Sequence, residues 1–316
     1  MQKTVTEPAI RGKKTYGQKV RKDMKINWSL YLMVLPVIAF YLIFCYKPMY
    51  GALIAFQDYS PALGFFGSKW VGFDNFIRFF QAPDFWRIFR NTLTISFSSL
   101  LWGFPAPILF AILMNEIRRE KFKKVVQTTS YLPHFISVVV VCGMIRDFVG
   151  DRGIISDMVA FFTGSQMNLL SQPKLFVPIY VISGIWQGIG WDSIIYLAAL
   201  SAIDQQLYEA ASIDGAGKMR QLWTITLPSI LPTIVILLIL RIGGLLNVGF
   251  EKIILLYSPI TYETADVISS YVYRQGFEVQ DWSYSTAVGL FNSVINFALV
   301  IMANTISRKV NDTSLW

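Results

Sequence analysis

One histidine and two cysteines are all that this 316-residue chain offers toward metal or thiol chemistry. His134 alone cannot build a multi-histidine zinc site, and there is no HExxH. Cys45 and Cys142 stand in separate apolar runs without CxxC spacing, so both read as packing residues and no disulfide framework is expected. Charge is scarce as well: 15% of residues are charged against 54% hydrophobic, too little polar surface for a water-soluble domain of this length. A GxSxG elbow, paired acids at one depth, an internal repeat and a Ser/Gly linker are also missing. The fragment "DGAGK" fails as a phosphate loop, because Ser212 stands where its first glycine belongs and Met219 follows Lys218. The chain is therefore not expected to bind ATP, and a membrane enzyme or an internally repeated channel has little to rest on.

What is there is long apolar runs, and a bilayer core needs roughly 20 such residues per helix. Six segments qualify, at 28–46, 91–115, 129–149, 175–200, 229–249 and 284–306. The predicted fold class is an all-α integral membrane protein with six transmembrane helices. The first run lacks a small-residue cleavage site and reads as a retained span. An even number of spans puts both termini on one side, and the basic residues choose the side. Eight precede the first run, Arg118, Arg119, Lys121, Lys123 and Lys124 follow the second, Lys218 and Arg220 follow the fourth, and Arg308 and Lys309 close the sixth. Together these are 17 of the 28 lysines and arginines, so the termini are expected in the cytoplasm. This placement accounts for the net charge of +8 without nucleic acid. The organisation read from the sequence is a basic tail (1–27), mobile or lying on anionic headgroups, a membrane domain (28–310) with a cytoplasmic loop at 201–228, and a short C-terminal tail (311–316). In the first external loop, "FDNFIRFFQAPDFWRIF" carries aromatics at helical spacing and predicts a helix along the membrane surface.

The loop at 201–228 interrupts the most apolar half of the chain with Glu209, Asp214, Lys218 and Arg220. Asp204 can cap a helix beginning at Gln205, Gly215 suits a left-handed stop, and a second helix can restart near Gly217 and lead into the fifth span. The small pair Ala210 and Ala211 leaves one face flat for another surface; a loop packed on itself is the alternative.

This stretch, "YEAASIDGAGKMRQLWTITLP", matches at full spacing a signature of binding-protein-dependent ABC importer permeases: Glu209, Ala210, Ala211, Gly215, Ile225, Leu227 and Pro228. The chain resembles that family over nearly all of its length after the tail. Softer matches, among them "PMYGALIAF", "WVGFDNFIRFF", the "NTL" opening the second span, "YLPHFIS" and "WQGIGWDSIIYLAALSAID", resemble its maltose-permease-like carbohydrate branch, particularly oligosaccharide and polysaccharide-fragment permeases. The resemblance implies the type I importer fold in a bacterial cytoplasmic (inner) membrane. It makes the loop, with Asp214, a coupling helix that docks on an ATPase subunit. It also implies a second homologous permease chain, two ATPase subunits that bind ATP and Mg, and an extracytoplasmic solute-binding protein that delivers sugar. No cofactor is expected in this chain.

Polar groups inside spans tend to face an interior path. Ser183, Gln187 and Trp191 fall at i, i+4 and i+8 of the fourth span, and an amide with an indole suits a hydroxyl-rich solute. Asp192 follows, and the resemblance places this segment along the sugar path. Asn247, Phe250 and Glu251 resemble a second pore-lining stretch of sugar permeases. Interhelical hydrogen bonding is the competing role for these residues, and the two acids could pair with Arg241 or Lys252. Arg146 is expected to snorkel or to pair with Asp147 or Asp151. No basic cluster is evident on the expected pore face, which weighs against a phosphate-bearing cargo; an importer of another small solute remains the alternative.

Overall fold

The structure is a computed structural model that describes residues 16–311. Residues 1–15 of the expected basic tail and all but the first residue of the C-terminal tail lie outside the described residues. The chain divides into two compact units, Met1–Leu53 and Ile54–Trp316.

In the first unit, α1 (Tyr16–Ile26) meets α2 (Trp28–Phe40), which runs on through wider turns to Tyr46. Asp23 locks the junction, accepting from Asn27 Nδ2 and from the Tyr31 hydroxyl, each at 2.7 Å. Apolar side chains point to every side of α2, and none of its residues is buried within the unit. Such a helix is unstable in water and at home in lipid. Cys45 lies exposed here, so it is not the packing residue expected, whereas Cys142 of the second unit is buried in a core.

The second unit is helical apart from a two-residue antiparallel ladder, in which Gln57 faces Trp70 and Asp58 faces Lys69. Its main helices are α3 (Asp74–Gln81), α4 (Phe85–Gly103), α5 (Pro105–Asn115), α6 (Glu120–Tyr131), α7 (Val138–Val149), α8 (Ile154–Thr163), α9 (Pro173–Ser201), α10 (Gln205–Ile213), α11 (Lys218–Gln221), α12 (Leu227–Gly243), α13 (Phe250–Leu256), α14 (Ile268–Tyr273) and α15 (Trp282–Asn311). The long α9 is central, packing against α4, α5, α6 and α12, while α15 packs against α12 and α14. Where α6 crosses α9 the backbones touch. A Cβ on Gly190 would stand 2.2 Å from the Ser130 carbonyl oxygen, so only glycine fits there.

Among the described residues, four helical stretches are long and apolar enough to cross a membrane: Trp28–Phe56, Phe85–Asn115, Lys218–Gly243 and Trp282–Lys309. A fifth candidate is a broken pair, Glu120–Phe135 and Val138–Thr163, bent by 101°. The straight third span expected at 129–149 is therefore replaced by a corner. Pro133 cannot continue the α6 hydrogen-bond ladder, and the Ser137 hydroxyl caps the new helix by accepting from Val140 N. At 29 residues, or about 43 Å, α9 is also long enough to cross, although glycines and polar side chains dilute its hydropathy. The fifth expected run begins earlier than predicted and stops at Gly243, leaving 244–249 irregular.

The expected surface helix at "FDNFIRFFQAPDFWRIF" is likewise divided. Pro83 ends α3, and the second half opens α4. Phe79 and Phe85 are buried against Tyr271, Tyr284 and Phe291, while Phe73, Phe80 and Trp86 of the same segment stay exposed. Beside them Asp266, wholly buried, accepts two 2.7 Å bonds from Arg274, one of 2.8 Å from the Ser270 hydroxyl and one of 3.3 Å from Arg87. Burial works against the charge on Arg274, but the bonds to Asp266 outweigh it and push the guanidinium pKa above its ordinary value. The "NTL" motif belongs to this network. Asn91 donates to the Asp266 and Tyr262 carbonyls, and the Thr92 hydroxyl accepts from Ile268 N.

Candidate functional site

Between α4, α9, the end of α12 and the irregular segment 244–249 lies a cavity of about 510 Å³, within the range of small-molecule sites. Four glycines on its wall, Gly103, Gly184, Gly244 and Gly249, keep it open. The breaks that divide the expected fifth span therefore build the cavity, because 244–249 turns its backbone into the bundle.

Of the path residues predicted from sequence, Gln187, Asp192 and Asn247 line this cavity, and Ser183, Trp191, Phe250 and Glu251 do not. Gln187 also donates to the Ile136 carbonyl at 3.2 Å, tying α9 to the α6–α7 corner. The Asn247 side-chain oxygen accepts from Asn292 and Asn296 of α15, each at 3.1 Å. Each thus makes the interhelical bond weighed for it while also lining the cavity. The Ser183 hydroxyl turns back to the Ile179 and Tyr180 carbonyls. Trp191 stacks flat on His134, ring centroids 4.5 Å apart, and meets Phe135 edge-on. Phe250 packs on Tyr273, and Glu251 is exposed.

Arg241 and Lys252 also stand on the wall, which corrects the expectation that no basic cluster faces the path. Lys252 is 7% exposed, its ammonium donating to the Tyr180 carbonyl at 3.0 Å and lying 4.8 Å from the Tyr180 ring centre. The Tyr180 hydroxyl accepts from Gly249 N at 3.1 Å, pinning the irregular segment to α9. The anticipated pairing of Asp192 or Glu251 with these cations does not form. Among the described residues no carboxylate lies within 4.0 Å of Arg241 or Lys252. Arg146, too, forms no ion pair with Asp147 or Asp151. The signal for the missed pair was in the sequence: Arg241 sits in "TIVILLILRIGG" with no acid one turn away, the usual mark of a functional charge at bilayer depth. Tyr180 carried no such signal.

At another place on the unit, the 201–228 segment folds as its sequence reads. The Asp204 side chain caps α10 by accepting from Gln206 N at 2.9 Å, Gly215 takes the left-handed conformation (φ 78°), and Gly217 precedes α11. Gln221, which sequence reasoning passed over, pins the turn by donating to the Ser212 hydroxyl at 2.9 Å and the Ala216 carbonyl at 3.0 Å. The Tyr208 and Thr226 hydroxyls bond at 2.9 Å, and Ile225 packs on the core of Ile108, Ala111, Tyr196, Leu200 and Ile230. Lys218 pairs with Glu116 at the end of α5, 2.9 Å away. Glu209, Ala210, Asp214 and Gly215 are exposed, Ala211 is half-buried, and Ile213 stands 87% exposed. Leu227 and Pro228 lie inside the continuous helical stretch Lys218–Gly243, directly after the wider turns at Leu222–Thr226. The result is a pinned knuckle with an apolar tip at Ile213 and a Glu209 carboxylate that has no hydrogen bond or ion pair among the described residues.

This capped knuckle and the stretch that follows it fall inside the match to a protein family described as the binding-protein-dependent transport system inner membrane component, which covers residues 103–312. The chain belongs to this family. It is therefore a multi-pass membrane permease, a transport component. The polygalacturonan/rhamnogalacturonan transport system permease protein YteP of Bacillus subtilis (strain 168) is 47% identical over 290 residues, covering 91% of this permease and 90% of its own length. Among solved structures, a bacterial ABC transporter involved in import of the acidic polysaccharide alginate matches with a TM-score of 0.86 at 46% identity, over 93% of this permease and 99% of that chain. A bacterial alginate transporter in complex with an alginate pentasaccharide-bound periplasmic protein matches with a TM-score of 0.87 at 46% identity, over 94% and 100%.

Proposed function

We propose that this permease forms half of the translocation path of an ATP-driven importer for oligosaccharides, and that α10–α11 is the element through which ATPase subunits move it. The observation that carries the reading is the knuckle itself. Its backbone is fixed by the Asp204 cap, the Gly215 turn and the Gln221 bonds, while Glu209, Ala210 and Ile213 are left facing outward. A rigid, exposed, mixed apolar and acidic projection is what a docked partner needs and what an isolated loop does not. In this reading the chain crosses the membrane six times with both termini in the cytoplasm, so the knuckle meets the ATPases, which supply the ATP and Mg sites. A second, homologous permease completes the path. Gln187, Asp192 and Asn247 contact the sugar from the cavity wall, and an external binding protein delivers it. Support for the sugar comes from the named relatives, one a permease of a polygalacturonan/rhamnogalacturonan system and two from alginate transporters.

The test is uptake of labelled oligosaccharides into vesicles carrying the assembled transporter. Uptake that requires both ATP inside and binding protein outside is expected. Uptake by the permease alone, without ATP, would support a channel in its place.

A further inference from the structure

We infer that the cavity selects acidic sugars, and that Lys252 and Arg241 are the residues that recognise the carboxylate of a uronosyl unit. The inference rests on the transport reading above and deepens it to a substrate class. Lys252 is an ammonium nine-tenths buried in a membrane protein, with one carbonyl acceptor for its three donors and, among the described residues, no carboxylate in ion-pairing range. Burying such a charge is costly unless an anion compensates it. The ammonium is also uncovered toward the cavity. Gly184 stands in front of it, where a Cβ would lie 3.6 Å from Nζ, and Gly184 carries no side chain to shield it.

Arg241 stands on the same wall, exposed, its guanidinium without a hydrogen bond or ion pair among the described residues. Its planar fork can bind both oxygens of a carboxylate. The one acid lining the cavity, Asp192, lies eight residues from Gly184 along α9, about 12 Å away along the helix axis, too far to neutralise Lys252. Around the cations the wall offers polar groups suited to sugar hydroxyls, Asn247 and Gln187. A neutral sugar would satisfy those groups and leave Lys252 without an opposing charge and Arg241 with only the longer-range attraction of Asp192. A uronate satisfies both sets.

The experiment uses the complete transporter with its binding protein in vesicles. It compares ATP-driven uptake of galacturonate and alginate tri- to pentasaccharides with their carboxyl-reduced neutral counterparts, and with glycerol 3-phosphate as a non-sugar anion. Because the binding protein is the same throughout, any change in preference between permease variants belongs to this chain. The wild type is expected to prefer an acidic probe over its neutral counterpart by about tenfold or more. Lys252→Gln and Arg241→Gln should each cut that ratio by about tenfold, with Lys252→Arg retaining most of it. If Lys252→Gln fails to assemble, Arg241→Gln, altered at an exposed position, decides alone. A wild-type ratio near one, or a ratio that the glutamine variants leave unchanged, overturns the carboxylate assignment and leaves the sugar importer standing. Glycerol phosphate uptake that depends on the same two residues overturns it in favour of phosphate. Failure to move any sugar, acidic or neutral, sinks both readings.

Discussion

Two clusters of charge in this permease are built on opposite plans. Around Asp266 the carboxylate is wholly buried and bonded by Arg274, Ser270 and Arg87, with Arg87 Nε the one buried donor there lacking a partner. On the cavity wall Lys252, Arg241 and Asp192 have no ion pair among the described residues, and the Ser96 hydroxyl is buried without a partner. A satisfied network holds elements together, and here it fastens α14 to α4 through Asn91 and Thr92. An unsatisfied one costs stability that packing elsewhere must offset, and such a cost persists where it serves function. The same residue types therefore form scaffold in one region and, in the proposed reading, a solute site in the other.

Breaking the satisfied cluster should have the largest effect. Asp266→Asn leaves Arg274 facing a neutral group, while Arg87 keeps its 2.8 Å pair with Asp84, and a loss of about 3–5 kcal/mol is expected, read as a sharply lowered melting midpoint in detergent or failure to accumulate. Next in size is Gly190→Ala, whose methyl meets the Ser130 backbone with no flexible atom to yield; about 1–3 kcal/mol should be lost in the same measurement. The comparison is sharpest at Lys252→Met. Removing an uncompensated buried cation should leave the midpoint unchanged or raise the stability by about 1 kcal/mol, opposite in sign to Asp266→Asn. A midpoint lowered as far as in Asp266→Asn would make Lys252 scaffold. Smallest is Glu116→Gln: both partners of the Glu116–Lys218 pair are largely exposed, and less than about 1 kcal/mol should be lost on melting.

The knuckle was legible in the sequence because its determinants are local. A carboxylate before Gln205, a glycine at 215 and the Glu-Ala-Ala stretch act over a few residues, and caps and left-handed turns are short-range physics. The cavity was half legible. Gln187, Asp192 and Asn247 announced themselves as polar groups in apolar runs, but Ser183 could satisfy itself on its own helix and Trp191 found His134 on a distant segment. Periodicity alone cannot tell which way a polar side chain resolves. The corner at Pro133 and the early end at Gly243 were hidden because composition stays apolar through both. The aromatics at 79 and 85 read as a surface stripe because their partners Tyr271 and Tyr284 come some 200 residues later.

The most direct test of the coupling role is to purify the tagged chain from its native membrane in mild detergent, as wild type and as Ala211→Glu, and to measure both stoichiometric partners and ATP hydrolysis. The wild type should bring down an ATPase and hydrolyse ATP, and Ala211→Glu should lose both while keeping its own fold. An ATPase bound and active to the same extent in the two forms would show that α10 is not the docking surface, and recovery of the chain alone in both would contradict the importer.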